Sequence, residues 1–192
     1  MNDNERMLLQ AAKDGDAKAI QAALSVGTNP NLRDCALATV LYWAAHGGPS
    51  EAEKAEIAAG NPPEIVNGEP IYTGGLIIDE EHVEVVITLL AAGADSNLSN
   101  RQGQVPLHCA AANGFEKTVK ALLENGADPT IADKNASTPL HNAAFNADIN
   151  VIKLLINTGA NIQVVDKHGH TPLYGTPEWV AREAERLPRH AT

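Results

Sequence analysis

Residues 138–144 read Thr138-Pro139-Leu140-His141-Asn142-Ala143-Ala144, and this stretch decides how the rest of the chain is read. One period of 33 residues earlier stands Val105-Pro106-Leu107-His108, followed by Ala110-Ala111. One period later comes Thr171-Pro172-Leu173-Tyr174, and two periods before Val105 comes Thr39-Val40-Leu41-Tyr42 with Ala44-Ala45. Glycines keep the same step at Gly27, Gly60, Gly93, Gly126 and Gly159. Seven residues after each is an Asp or Asn: Asp34, Asn67, Asn100, Asp133 and Asp166. A fixed period of this length marks a stacked repeat array. It moves the functional question from a closed pocket to an extended surface.

Each residue type has a physical reason for its place. Thr138 is suited to cap a helix with its hydroxyl, and Pro139 fits the first helical position, where no N–H is needed. The alanine pairs mark where neighbouring first helices approach closely. Val119 with Leu122-Leu123 gives a second helix one apolar stripe. Gly126 permits the left-handed turn that ends it. The pattern resembles the ankyrin repeat family, over roughly residues 1–175. The resemblance implies an all-α solenoid of about five to six stacked helix-turn-helix units.

The period divides residues 1–187 into units at about 1–33, 34–66, 67–99, 100–132, 133–165 and a cap at 166–187, one continuous domain followed by a disordered tail at 188–192. The polar start Asn2-Asp3-Asn4-Glu5 suits an end cap whose first helix carries Met7, Leu8, Ala11 and Ala12. In the last unit Pro177 starts a new helix, with Thr176 as its cap and Trp179, Val180, Ala184 and Leu187 on its buried side. Units two and three are irregular. Their glycine and Asx marks stay in step, which reads as no large insertion. Yet the second helix of unit two, residues 50–59, offers Glu53, Glu56 and Ile57 where other units place aliphatics. Tyr72-Thr73-Gly74-Gly75 opens the first helix of unit three, and two glycines cost a helix about 2 kcal/mol. That helix is either shortened to about Leu76–Glu81, or residues 70–78 loop or pair as a small hairpin.

Aromatics are 4% of the chain and apolar residues 44%, so the core is mainly Ala, Leu, Ile and Val. No apolar run reaches the length of a membrane span, and the N-terminus lacks the features of a secretory signal, so a cytoplasmic location is expected. Cys35 and Cys109 fall in different units, which argues against a disulfide. Between Glu51 and Glu84 stand nine acids and one base, Lys54, a net of −8 within a chain total of −10. Either this is a solvated face, or it attracts a basic protein. Nucleic acid would be repelled.

Ankyrin-like proteins bind partners through the turn tips and the exposed side of the first helices. Carried over by position, the resemblance implies a surface of Glu69, Ile71, Tyr72, Asp79, Glu80, Arg101, Gln102, Gln104, Asn113, Lys134, Asn135, Phe145, Asn146, His168 and His170. Phe145 stands at a normally exposed position, whereas Trp43 precedes Ala44-Ala45 and reads as a packing residue. His108 and His141 belong to the repeat motif, where the resemblance implies hydrogen bonds between turns. The pair His168 and His170 lacks the further ligands a metal site needs, so no metal or cofactor is expected. No catalytic motif is present. The chain therefore reads as a non-enzymatic protein-binding module, monomeric when free. Its expected partner is a protein with a basic surface, occluded in the manner of an inhibitor or immunity protein. A scaffold or adaptor is the alternative, self-association through residues 71–78 a third, and an enzyme or metal-binding protein a remote one.

Overall fold

The structure is a computed structural model, and it describes residues 1–47, 64–66, 69–71 and 79–187. The helices are α1 (Asp3–Asp14), α2 (Ala17–Ser25), α3 (Val40–His46), α4 (Asp79–Ala91), α5 (Pro106–Ala112), α6 (Glu116–Glu124), α7 (Pro139–Phe145), α8 (Ile149–Asn157) and α9 (Glu178–Glu185). A two-stranded antiparallel hairpin joins β1 (Glu64–Val66) to β2 (Glu69–Ile71), with Ile65 opposite Pro70. The fold is a helical ankyrin stack with this one small hairpin among the described residues.

Local chemistry sets the helix starts. Asn2 Oδ1 accepts the Glu5 N–H while a Glu5 carboxylate oxygen accepts the Asn2 N–H, both at 2.8 Å, a reciprocal cap on α1. The Thr39 hydroxyl accepts the Tyr42 N–H at 3.0 Å and caps α3. Thr138 departs from the hydroxyl cap expected of it. His141 Nδ1 reaches back to accept the Thr138 N–H at 3.1 Å, and the hydroxyl turns to the same nitrogen at 2.9 Å. His108 Nδ1 does likewise for Val105 N–H at 3.2 Å, so the third residue of the helix supplies the cap even where a valine precedes it.

The Asp and Asn marks of the lattice form the tips. Asp34 Oδ1 accepts the N–H groups of Ala36 and Ala38 at 2.8 and 3.0 Å, and Asn100 Oδ1 those of Gln102 and Gln104 at 2.9 and 3.0 Å. Asp133 and Asp166 make the same pair of bonds one and two periods on. Such Asx turns satisfy backbone donors locally and leave the loop tip facing water.

Units two and three contribute one stacked helix pair between them among the described residues. Helix α3 packs between α1 and α5, and α4 packs between α2 and α6. Helices α3 and α4 also pack against each other, as the two helices of a single repeat do. The bonds between tips agree. Asn97 Nδ2 donates to the Gly126 carbonyl at a sequence separation of 29, and Asn31 Nδ2 makes the equivalent bond to the Gly93 carbonyl at a separation of 62. Lys134 N–H donates to the Gln102 carbonyl at 2.9 Å, whereas Arg101 N–H reaches the Ala36 carbonyl at 2.9 Å across one period more. The reading of no large insertion is therefore corrected. One period of sequence is inserted between α3 and α4, and because it equals the repeat length the marks stay in step.

The expected short helix at about Leu76–Glu81 is also corrected. Helix α4 runs unbroken over Asp79–Ala91, beginning one turn before the lattice position of α6. Between α5 and α6 the chain is turned by Gly114 at φ 69°, and one period earlier that position holds Glu81, which continues a helix. The described hairpin, with strands 64–66 and 69–71, overlaps the 70–78 segment considered for one at Pro70 and Ile71. Residues 50–59, 72–78 and the tail 188–192 lie outside the described residues.

The core runs from Leu8 in α1 to Ala184 in α9, with Ala44, Ala45, Ala110, Ala111 and Ala143 fully buried between first helices. Helix α9 starts at Glu178 with Pro177, not Thr176, at its cap position, and the Thr176 hydroxyl donates back to the Leu173 carbonyl at 2.9 Å. Val180 and Ala184 are buried and Leu187 packs beside them, but Trp179 is 59% exposed. The i, i+4, i+7 stripe from Val180 fills the interface, and Trp179 falls about 100° off it.

Candidate functional site: the tips and first-helix face

The side of the stack formed by the tips and first helices carries the implied binding residues, with uneven freedom. Phe145 is 91% exposed at the end of α7. Gln102, Lys134, Asn135 and His168 are exposed at tips, and the backbones of the first three also bind successive units together. Arg101 is exposed, yet its Nη2 donates to the Cys35 carbonyl at 2.9 Å. Asn113 Nδ2 donates to the His46 carbonyl at 2.9 Å, and Asn146 Nδ2 to the Ala112 carbonyl, so each closes the end of the preceding first helix. Gln104 is half-buried, and its Oε1 accepts from the Tyr42 hydroxyl at 3.2 Å and from Asn100 Nδ2 at 3.3 Å. Gln104 thus also braces one repeat against the next. Glu69 and Ile71 lie in β2, and Asp79 and Glu80 in the first turn of α4, where the helix dipole favours acids. Tyr72 lies outside the described residues.

Trp43 is buried, as its place before the alanine pair suggests. Its indole N–H donates to Asp34 Oδ2 at 2.9 Å, and the Lys13 ammonium sits 4.2 Å from the ring centroid. Cys35 is exposed and Cys109 buried, each as a thiol.

His108 and His141 link repeats. Their Nδ1 atoms accept backbone N–H groups, so each proton is assigned to Nε2. Nε2–H of His108 then donates to the Ser137 carbonyl at 3.0 Å, and that of His141 to the His170 carbonyl at 3.2 Å. Burial pushes the His108 pKa below its ordinary value, against smaller opposing effects from its carbonyl partner and Asp133. The neutral imidazole is the form this network uses.

Sequence reasoning missed Tyr174. It occupies the motif position of Tyr42, which is 1% exposed because the next repeat stacks upon it, but Tyr174 is 68% exposed in the last unit. Its ring stacks on His170 with centroids 4.0 Å apart and an interplanar angle of 3°. His168 in turn lies 6.0 Å from His170. Tyr174 and His170, together with Phe145, border a cleft of about 460 Å³ between α7 and the final turn. The signal available was positional: the motif aromatic of the last described copy is not covered by a further repeat among the described residues.

Among the described residues no three His, Cys, Asp or Glu side chains stand together as a metal site requires, and no helix is long and apolar enough to cross a membrane.

Comparison with known families agrees with this architecture. The family model described as ankyrin repeats (3 copies) matches residues 75–133, and that described as ankyrin repeats (many copies) matches residues 116–156. No curated protein matches the chain. Outside the matched span, the tips at Asp34 and Asp166 repeat the bonds of those within it. Ankyrin repeats generally mediate protein–protein interaction and are typically non-enzymatic. Over the matched span, residues 75–156, the chain is an ankyrin repeat protein.

Proposed function

We propose that the chain is a monomeric, non-catalytic cytoplasmic protein that binds a basic protein partner and occludes it, as an inhibitor or immunity-type protein does. The observation that carries this reading is Phe145, 91% exposed on the first-helix face beside an open cleft. A large aromatic left in water by a well-stacked repeat has the character of an interface anchor. The acids between Glu51 and Glu84 supply long-range attraction that would speed association with a basic surface. The contact surface comprises the exposed tip residues with Phe145, joined by the acidic stretch through Glu69, Asp79 and Glu80.

A scaffold or adaptor role is favoured by a different observation. Trp179 is 59% exposed beside Arg182 and Lys153, on the second-helix side of the last repeat. That would give the molecule a second face for a second protein.

The test is capture of the partner from the native cell with the wild type, with Phe145→Ala, and with charge reversal at Glu69, Asp79 and Glu80. Both variants are expected to lose the partner while keeping the wild-type circular dichroism. Capture that survives both variants at physiological salt sinks the reading. Light scattering checks the monomer, and a dimer abolished by changes within residues 71–78 would replace it with self-association.

A further inference from the structure

The chain shows within itself what fits beside the last tip. In the second stacked repeat Asp34 spends Oδ1 on two tip amides and offers Oδ2 to the Trp43 indole N–H at 2.9 Å. That donor is planar, and its ring meets Tyr42 edge-on at 5.7 Å. Asp166 repeats the first half, with Oδ1 accepting the His168 and His170 amides at 2.8 and 2.9 Å. At the register position of Trp43, however, the last repeat has Gly175. His170 Nδ1 lies 3.9 Å from Asp166 Oδ2, beyond hydrogen-bond distance, and no other donor among the described residues takes that oxygen. Gly175 instead borders the cleft of about 460 Å³ together with Asp166, Tyr174, His170 and Phe145. No Lys or Arg lines it.

We propose that this cleft receives an arginine side chain of the bound protein, its guanidinium donating to Asp166 Oδ2 and lying against the Tyr174 and Phe145 rings. The inference rests on the first-helix face being the protein-binding face. A guanidinium is a planar N–H donor, as the indole is, and it stacks on aromatic rings. It also brings the positive charge a carboxylate complements. The backbone N–H of His170, aided by that of His168, holds the Asp166 carboxyl below the usual range, so it is ionised at neutral pH. A lysine ammonium is a compact, strongly hydrated charge with no plane to stack. An apolar side chain would bury Oδ2 without a donor.

The experiment titrates the labelled full chain with the peptide acetyl-Ala-Ala-Arg-Ala-Ala-amide and with its citrulline counterpart, which keeps the planar group but not the charge. Arginine is expected to give saturable amide shifts at Phe145, His170, Tyr174 and Gly175, with citrulline binding about tenfold weaker. Asp166→Asn should weaken the arginine peptide by a similar factor. That variant is expected to fold, because Asn100 already holds a tip with the same two bonds. Equal binding of the two peptides, wild-type affinity in Asp166→Asn, or shifts confined to residues away from the cleft would each overturn the proposal. A protein partner lost by Phe145→Ala but retained by Asp166→Asn overturns the arginine receptor and leaves the protein-binding array standing. A partner retained by both overturns the two together.

Discussion

At the tips, one backbone position in each repeat turns left-handed. Gly103 and Gly169 hold it at φ 83° and 81°, but Leu37 and Ala136 hold it at 62° and 58°. A side chain there costs about 1–2 kcal/mol against the right-handed form, only partly offset by the freedom glycine gains when unfolded. Leu37→Gly is therefore expected to raise the urea midpoint, by up to about 1 kcal/mol of stability. Gly103→Ala should do the reverse by more than about 1 kcal/mol, since its Cβ would also stand 3.1 Å from the Lys134 nitrogen. A second test at this scale concerns His108, whose folded pKa is lowered from 6.5 by burial. The unfolded chain then takes up the proton first as pH falls. This contribution is intact above about pH 6.5 and declines as pH drops toward the folded value. Urea midpoints at pH 7.5 and 5.5 should differ in that direction, and the difference should shrink in His108→Gln.

Among elements, the pair α3 and α4 is the unusual one, because a period of sequence stands between two helices that pack as neighbours. Replacing residues 47–82 with Asn-Gly-Phe, the link used at 113–115, is expected to leave one cooperative unfolding transition and a helical spectrum. The contacts of α3 with α5 bypass the replaced residues, and α4 keeps its buried Val85, Val86 and Leu89. Partner capture should fall, since the replacement removes Glu69, Asp79 and Glu80. The repeat identity of the fold was legible in the sequence because Gly126, Asp133 and the Thr138–Ala144 motif each have a local geometric duty. The insertion was not, because its length matches the beat it interrupts and only contacts distant in sequence reveal the splice. The bracing role of Gln104 was hidden for a related reason: its amide answers the Tyr42 hydroxyl of another repeat, which no local pattern announces. Trp179 and Tyr174 are exposed because no further repeat covers them among the described residues, and a repeat pattern describes packed copies better than an uncovered one.

Across the whole molecule, each unit touches its neighbours and little else, so stability accumulates along one axis. Helix α9 packs on α8, and α1 on α2 and α3, which leaves the ends with one covered side. Charge is distributed as unevenly as regularity: −8 of the chain's −10 falls between residues 51 and 84, around the insertion and the start of α4. The splice between α3 and α4 has a mechanical consequence. Tension applied at the two termini passes through the stacked helices, so the contour between α3 and α4 is drawn out when that repeat ruptures. An ordinary repeat gives up one period of contour when it breaks, about 110 Å at full extension. The spliced one gives up two, about 220 Å. In a single-molecule pulling record, one step of double length among single ones is expected, and it should shorten to match the others when residues 47–82 are replaced. The insertion is thus an extra period of contour held within one repeat and yielded only when that repeat breaks.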